Sequence, residues 1–140
     1  RRCGCWKINF NRFARQKLIE EYFQSLLDLI ASLPFVESQD INLEKRGELV
    51  GFIRGEVGLN DGSTLFFREL IDLRLPLQKV MYAYHYQRAD GSIVFRYDNT
   101  AHHRHISTFP NHKHLPDGSI ESSAIPALEQ VMREIESLIA

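Results

Sequence analysis

Hydrophobic residues recur at helical spacing near both ends of the chain. The first stripe lies between Asn11 and Pro34, where apolar side chains follow one another mostly at intervals of three or four residues. Its members are Phe13, Leu18, Tyr22, Leu26, Leu29, Ile30 and Leu33. The pattern predicts an amphipathic helix that Asn11 caps and Pro34 ends.

The second stripe follows Pro126, a residue that suits the first turn of a helix. It consists of Leu128, Val131, Met132, Ile135, Leu138 and Ile139. Either Ser122 or Ser123 could cap this helix. We therefore predict a C-terminal amphipathic helix that packs on the same core as the first.

Between the helices the chain alternates short apolar segments with turn sequences, a pattern typical of an antiparallel sheet. The turn sequences are LEKRGE, LNDGST, LRLPLQ and RADGS, and two of them contain Asp-Gly, a strong hairpin signal. The predicted strands are Val36 to Leu43, Leu49 to Leu59, Thr64 to Leu75, Lys79 to Arg88 and Ile93 to Asp98. The predicted fold class is α+β: an N-terminal helix, an antiparallel β-meander of about five strands, a long histidine-rich loop and a C-terminal helix.

Length and composition fit a single α+β domain, which we place at residues 11–140. A chain of 140 residues can bury one core but not two, and its 44% hydrophobic and 25% charged residues argue against intrinsic disorder. The net charge of -1 gives no overall attraction for nucleic acid, so phosphate binding would need a local basic patch. No apolar run is long enough for a membrane span or a signal peptide, which predicts a cytoplasmic protein without a membrane partner.

Residues 1–10 are expected to be a disordered or extraneous lead rather than part of the domain. They contain Cys3 and Cys5, the two cysteines of the chain. This pair forms neither a disulfide framework nor a complete zinc site, because a zinc site needs further ligands. No role is assigned to either thiol.

Five of the six histidines lie in one segment, FRYDNTAHHRHISTFPNHKHLPDG, from Phe95 to Gly118. From Asp98 to Ser123 the sequence predicts neither helix nor strand, and loops of that length are more often functional or disordered than connective. The apolar residues of the loop are Ile106, Phe109, Pro110, Leu115 and Ile120. Such anchors favour a loop packed across the sheet over a disordered linker.

Imidazole groups titrate near neutral pH, so this cluster could supply both an acid and a base. Cleavage of RNA without a metal requires a base for the 2′-hydroxyl, an acid for the leaving oxygen and cations for the phosphate oxygens. The candidates are His102 or His103 as base, His112 or His114 as acid, Arg96 and Lys113 as cations, and Asp98 to orient an imidazole or Arg96. This scheme needs no cofactor.

A divalent metal site is the competing hypothesis for the same segment. In an extended HKH sequence alternate side chains face one side, so His112 and His114 could bind one ion, with Asp98 and His102 as further ligands. The spacing matches no established zinc signature. Two further alternatives stay open: a hydrogen-bonded surface without chemistry, and a surface that binds a protein partner.

Two strand segments carry aromatic or charged residues for which packing is the preferred interpretation. In MYAYHYQ, Tyr82, Tyr84 and Tyr86 share one strand face, and core packing is favoured over stacking on RNA bases. In FFRELIDLRL, Glu69 could act as a base, but a cross-strand ion pair is the simpler role. Neither segment is therefore included in the candidate site.

From about Gly51 to Ile139 the chain resembles the TumE family of prokaryotic toxins. The resemblance runs from FRELIDL through YAYHYQRADGSIVFRYDNTAHH to ISTFPNHKHLPDGSIESS. It is densest in FRYDN, in the paired His102 and His103, and in HKH. It implies a growth-inhibiting toxin of a type II toxin–antitoxin pair, a class of toxin often presumed to act as a ribonuclease.

The partners that the resemblance implies are an antitoxin protein encoded nearby and RNA, and a homodimer stays open. The alternative from another class is a non-enzymatic toxin or interaction module whose histidine-rich loop binds a protein target or the antitoxin. Asn111 stands where other members often have histidine, and His85 where glutamine is common. These departures argue against an essential role for either residue.

Overall fold

The computed structural model describes residues 15–139. Within this range the elements are, in chain order, α1 (Ile19–Ala31), β1 (Val36–Lys45), β2 (Val50–Leu59), β3 (Thr64–Asp72), β4 (Lys79–Gln87), β5 (Ile93–Asp98), β6 (His112–His114), β7 (Ile120–Ser122) and α2 (Leu128–Ile139). The predicted α+β layout is confirmed, and β6 and β7 add two short strands to the predicted meander. The predicted lead, with Cys3 and Cys5, lies outside the described residues.

Each strand pairs antiparallel with the next one in the chain, which gives the described part of the sheet the order β1-β2-β3-β4-β5-β6-β7. The chain has three Asp-Gly sequences, and each forms a turn between neighbouring strands: Gly62, Gly91 and Gly118 have φ values of 85°, 87° and 86°. This left-handed region favours glycine. β3 ends at Asp72 and not at Leu75, because the Asp72 carboxylate accepts hydrogen bonds from the backbone and guanidinium of Arg74 and so turns the chain.

α1 begins at Ile19, and the predicted cap Asn11 lies outside the described residues. At the start of the helix the Leu18 backbone N–H donates to Glu21 Oε1 at 2.8 Å. The Glu21 backbone N–H in turn donates to Leu18 O at 3.0 Å. These two bonds satisfy groups that the first helical turn leaves free. The helix ends before Pro34, as predicted.

α2 begins at Leu128, so the prediction that Ser122 or Ser123 caps it is wrong. Ser122 is the last residue of β7, and the strand occupies the place at which the cap was expected. The Gln130 side chain instead accepts a hydrogen bond from the Ala127 N–H at 2.8 Å. Among residues 15–139 no helix is long and apolar enough to cross a membrane.

The helices cover one face of the sheet. Inward-facing strand residues alternate with outward-facing ones, and the inward set packs with the apolar stripes of both helices. The largest fully buried apolar side chains are Tyr82, Tyr84, Phe95, Ile19, Ile30, Ile53, Leu65, Ile71, Met132 and Ile135. Tyr82, Tyr84 and Tyr86 are exposed by only 1%, 0% and 2%, so their predicted packing role is confirmed.

Glu69 is a fully buried carboxylate on the helix side of the sheet. Its Oε1 accepts a hydrogen bond from the Tyr22 hydroxyl of α1 at 2.5 Å, and its Oε2 accepts one from the Tyr84 hydroxyl. Lys79 Nζ lies 3.4 Å from Oε2 and also donates to Pro126 O at 2.8 Å. Glu69 therefore has the cross-strand ion pair expected from the sequence, together with two hydroxyl donors.

Replacing Lys79 with methionine is expected to lower the free energy of unfolding by about 3–5 kcal/mol, because Glu69 stays buried without its cation. The measurement is urea denaturation followed by circular dichroism. Arg133→Met is the matched control, since the ion pair of Arg133 with Glu129 is exposed on α2 and should contribute far less. Equal losses for the two variants would contradict the role given to Lys79.

Candidate functional site

The pairing of β5 with β6 brings several of the predicted site residues together. Asp98 lies opposite His112, and Arg96 lies opposite His114. Because alternate strand residues face the same side, these four side chains share the sheet face opposite the helices. The predicted loop from Asp98 to Ser123 is therefore interrupted by β6 and β7, which form because β5 offers an edge for pairing.

Asp98 ends β5 and is only 3% exposed. Its Oδ1 accepts hydrogen bonds from Thr100 N–H at 3.1 Å and Thr100 Oγ1 at 2.8 Å, and its Oδ2 accepts one from Arg96 Nε at 2.9 Å. Burial acts to raise the pKa of Asp98, but the hydrogen bonds from Thr100 and Arg96 and the nearby His112 outweigh it. The pKa of this carboxyl therefore lies below its ordinary value. Asp98 is an anion at neutral pH.

His112 is fully buried beside this carboxylate. Its Nδ1 lies 2.8 Å from the Pro110 carbonyl oxygen, which can only accept, so Nδ1 carries a proton and donates it to that bond. Its Nε2 lies 2.9 Å from Asp98 Oδ1 and 3.1 Å from His114 Nε2. Acceptor atoms this close repel unless a proton or a cation lies between them. The arrangement is therefore suited to a shared proton or a metal ion.

His114 is the more accessible imidazole of β6, and its side chain is 29% exposed. Its Nε2 lies 3.4 Å from Asp98 Oδ2. Burial lowers the pKa of His114 below its ordinary 6.5, and the attraction of Asp98 offsets this only in part. The neighbours His112, His103 and Arg96 add to the lowering. His114 is therefore neutral at pH 7 and has a lone pair with which to accept a proton or bind a metal.

His103 reaches the group from the loop after β5. Its ring centroid lies 5.0 Å from that of His112 and 5.8 Å from that of His114. Its φ of 58° is in the left-handed region, which few non-glycine residues adopt and which often marks functional sites. His102 is exposed, and its ring centroid lies 6.3 Å from that of His103 on the outer side of the loop. We call Asp98, His103, His112 and His114 the Asp98 cluster.

The Asp98 cluster contains suitable ligands for a divalent metal. The ligand atoms of His103, His112 and His114 all lie within 4.8 Å of one another, and a carboxylate oxygen of Asp98 lies 2.9 Å from His112 Nε2. Imidazole and carboxylate donors suit Zn²⁺, Mn²⁺ or Fe²⁺. Metal-binding histidines usually donate their other N–H to an acceptor, as His112 does to a backbone carbonyl. This set differs from the sequence-based one in having His103 in place of His102.

Lys113 lies on the other side of the sheet from the cluster, because it alternates with the two histidines of β6. Its Nζ donates to Glu134 Oε2 of α2 at 2.7 Å and lies 4.9 Å from the ring centroid of Tyr97. Of the two cations predicted for phosphate, the structure therefore brings Arg96 to the cluster and not Lys113.

Sequence reasoning missed two contributors to the site. Thr100 donates to Asp98 from two residues further on, and the Pro110 carbonyl orients His112. The first has a sequence signal, because Asp with Thr two residues later is a typical Asx-turn pattern. The second has none, since a backbone carbonyl is present at every residue.

A family model described as Toxin TumE matches residues 26–139. The chain belongs to the TumE toxin family. No curated protein and no solved structure was found to match it. The family match begins well before Gly51, includes part of α1 and all seven strands described above, and contains the whole Asp98 cluster. Membership in the TumE family supports a toxin role for the chain.

Asn111 and His85, the two positions expected from the sequence to depart from the family pattern, have side-chain partners of their own. Asn111 Oδ1 accepts a hydrogen bond from the Tyr82 hydroxyl at 2.9 Å. His85 Nε2 lies 3.1 Å from Gln87 Oε1. Within residues 15–139, neither residue has a side-chain hydrogen bond to the Asp98 cluster. Their contacts support the loop and the strand rather than the clustered imidazoles.

Asp98→Asn is expected to lower the free energy of unfolding at neutral pH by on the order of 3 kcal/mol, because Arg96 and His112 lose a buried anion. The lowered pKa gives the pH dependence its sign. The charge of Asp98 stabilises the fold above its ordinary pKa of 3.8, and this contribution is lost as the pH falls through the lowered value. The difference between wild type and variant, measured by urea denaturation, should therefore shrink as the pH falls below 3.8.

Asp117→Asn is the matched control for this prediction. Asp117 accepts the same kinds of hydrogen bond from Ser119, at 2.9 Å and 2.6 Å, but at an exposed turn without a buried cation. Asp117→Asn should therefore lower the free energy of unfolding far less than Asp98→Asn. A loss in Asp98→Asn that stays constant as the pH falls below 3.8 would contradict a buried anion.

Proposed function

We propose that this TumE chain is the toxin of a type II toxin–antitoxin pair and that it cleaves RNA at the Asp98 cluster. One observation carries the proposal: two partly exposed imidazoles, His103 and His114, stand 5.8 Å apart between ring centroids, beside the buried pair of Asp98 and His112. When neighbouring titratable groups have different surroundings, one can act as the acid and the other as the base. In this proposal RNA is the substrate, the cytoplasm is the place of action, and an antitoxin encoded nearby is the inhibitor.

In the proposed reaction His114 is the base. Its lowered pKa keeps it neutral, so it can take the proton of a ribose 2′-hydroxyl. The 2′-oxygen then forms a bond to phosphorus, and the bond from phosphorus to the 5′-oxygen breaks while His103 gives that oxygen a proton. The products are a 2′,3′-cyclic phosphate and a 5′-hydroxyl end. This assignment exchanges the roles expected from the sequence, because the neutral imidazole is the better base.

The other residues act as supports in this scheme. Asp98 and His112 are buried, so they orient the outer imidazoles rather than contact RNA. Arg96 donates to Asp98 through Nε, and within residues 15–139 its two Nη groups make no hydrogen bond. Its side chain is 28% exposed, which leaves those groups free to bind phosphate oxygens and offset charge in the transition state.

A metal-dependent version of the same function is the second candidate. It is favoured by the three imidazole ligand atoms that lie within 4.8 Å of one another and by the carboxylate of Asp98 beside them. A divalent ion there would polarise the phosphate and lower the pKa of a bound water. In this version His103 and His114 are ligands and do not transfer protons.

RNA cleavage by the purified protein tests the proposal. His103→Ala and His114→Ala should each lower the cleavage rate by about 100-fold or more, because each removes a proton-transfer group. His105→Ala is the control, since His105 is an exposed histidine of the same loop and should matter little. With EDTA present, the acid–base version predicts unchanged cleavage, and the metal version predicts a loss that Mn²⁺ restores. Absence of any cleavage by the wild type would overturn both.

A growth-arrest assay in cells distinguishes toxicity by RNA cleavage from toxicity that needs no enzymatic activity. The double variant His103→Ala/His114→Ala should fold and bind its antitoxin, yet no longer arrest growth. Circular dichroism and antitoxin pull-down provide the two controls. A double variant that remains toxic would mean that the histidine-rich loop acts by binding a protein target.

The pH profile of kcat/KM should have its acidic limb below pH 6.5, because the pKa of His114 lies below that ordinary value. Protonation fills the lone pair with which His114 accepts the 2′-hydroxyl proton, so the rate falls as the pH drops through the lowered pKa. The measurement is the initial cleavage rate of a short RNA between about pH 5 and about pH 8. A limb centred at or above pH 6.5 would exclude His114 as the base.

A further inference from the structure

A cavity of about 300 Å³ opens on the same sheet face as the Asp98 cluster. Its lining includes Arg54, Phe66, Arg68 and Arg96. Arg96 belongs to both places, because its Nε also donates to Asp98 at 2.9 Å. The cavity therefore adjoins the proposed place of RNA cleavage.

Strand register aligns the cavity with the Asp98 cluster along two lines that cross the sheet. The first line contains Arg54, Arg68, Ala83, Asp98 and His112. The second contains Glu56, Phe66, His85, Arg96 and His114. Neighbouring strands are about 4.8 Å apart, so the backbones of Arg68 and Asp98 are about 10 Å apart. One nucleotide with its phosphate can span that distance.

Ala83 makes this part of the sheet face concave. It lies between Arg68 and Asp98 in register, and it is only 3% exposed because longer side chains surround it. A methyl group at this position leaves room above the sheet that a longer side chain would fill. The cavity volume is at the lower end of the range for small-ligand sites.

The cavity contains cations that the described protein does not neutralise. Arg54 and Arg68 form no ion pair within residues 15–139, whereas Arg74, for example, binds Asp72 at 2.8 Å. A guanidinium without a carboxylate partner on a concave surface is well placed to bind a phosphate in bidentate fashion. The part of the cavity between Arg54 on β2 and Arg68 on β3 is therefore suited to an anion.

The remaining lining suits the other parts of a nucleotide. Phe66 is 38% exposed, and an accessible aromatic ring can stack on a nucleobase. Asp40 and Glu56 also line the cavity, and their carboxylates can accept hydrogen bonds from ribose hydroxyls or from exocyclic amines. A bare polyanion would gain nothing from these two carboxylates. A nucleotide combines an anion, an aromatic face and hydrogen-bond donors, and so matches all three features.

We propose that this cavity binds one nucleotide of single-stranded RNA beside the bond that is cleaved. Arg54 and Arg68 bind a phosphate, Phe66 stacks on the base, and Glu56 accepts a hydrogen bond from the ribose or the base. The inference rests on the proposed function, because the same RNA has to reach the Asp98 cluster. RNA binding can nevertheless be measured apart from RNA cleavage.

The experiment measures the fluorescence anisotropy of a short, labelled single-stranded RNA. The protein is the His103→Ala/His114→Ala variant, which keeps the RNA intact during titration. Adding Arg68→Gln should weaken binding at least about tenfold, and adding Phe66→Ala at least about fivefold. Arg68→Gln should also reduce the slope of log affinity against log salt by about 0.7 for one lost phosphate contact. Arg133→Gln, which changes an exposed side chain of α2, is the matched control and should leave the affinity unchanged.

The outcomes distinguish failure of this inference from failure of the proposed function. If the wild type cleaves RNA but Arg68→Gln and Phe66→Ala bind as tightly as their parent, the cavity is not the nucleotide site while the function stands. If the wild type neither binds nor cleaves RNA, both fail. If the two substitutions weaken antitoxin binding and leave RNA binding intact, the face is a protein-docking surface and the nucleotide site is overturned.

Discussion

The buried charge of Asp98 is the constraint on which the candidate site depends. An ionised carboxylate with only 3% exposure is costly unless hydrogen bonds and cations surround it. Its partners come from three places: Arg96 on β5, Thr100 in the following turn, and the two histidines of β6. The Asp98 carboxylate needs partners from all three places. The pairing of β6 with β5 therefore also determines where the two imidazoles of β6 lie. Strand pairing and site geometry thus have the same physical cause.

Glu69 and Asp98 are buried carboxylates on opposite faces of the sheet, but only the surroundings of Asp98 are those of a functional site. Glu69 accepts hydrogen bonds from two tyrosine hydroxyls and lies near Lys79, and the helices cover it. Each carboxylate oxygen of Glu69 already accepts a hydrogen bond from a protein donor, so the group does not require a water or ligand partner. Around Asp98, by contrast, the Nε2 atoms of His112 and His114 face each other at 3.1 Å, and His114 is partly open to solvent. That arrangement leaves a place for a proton or a cation, which is the property of a reactive centre.

The predictable parts of the structure are those that a repeating pattern defines. β5 runs from Ile93 to Asp98 as predicted. The Asp90-Gly91 turn marks its start, and the alternation of side chains along the segment indicates a strand. β6 and β7 have three residues each, too few for a period. The Asp117-Gly118 turn between them is a hairpin signal, but the two strands also depend on pairing with the edge of β5. Alternation in HKH does place Lys113 away from its two neighbours. The choice of His103 over His102 follows from a left-handed backbone turn, for which the sequence has no signature.

The placement of charge on the open face also constrains how RNA would lie there. The net charge of -1 provides no long-range attraction, so affinity has to come from contacts at the face itself. Arg54 and Arg68 lie opposite each other on β2 and β3, and Arg96 lies on β5. Asp40 and Glu56 lie opposite each other on β1 and β2. A phosphate backbone that crossed the β1 edge would meet both carboxylates. In the proposed complex the backbone therefore runs from the cavity toward β6, which leads the next phosphate to the Asp98 cluster, while the acidic edge contacts the base or ribose.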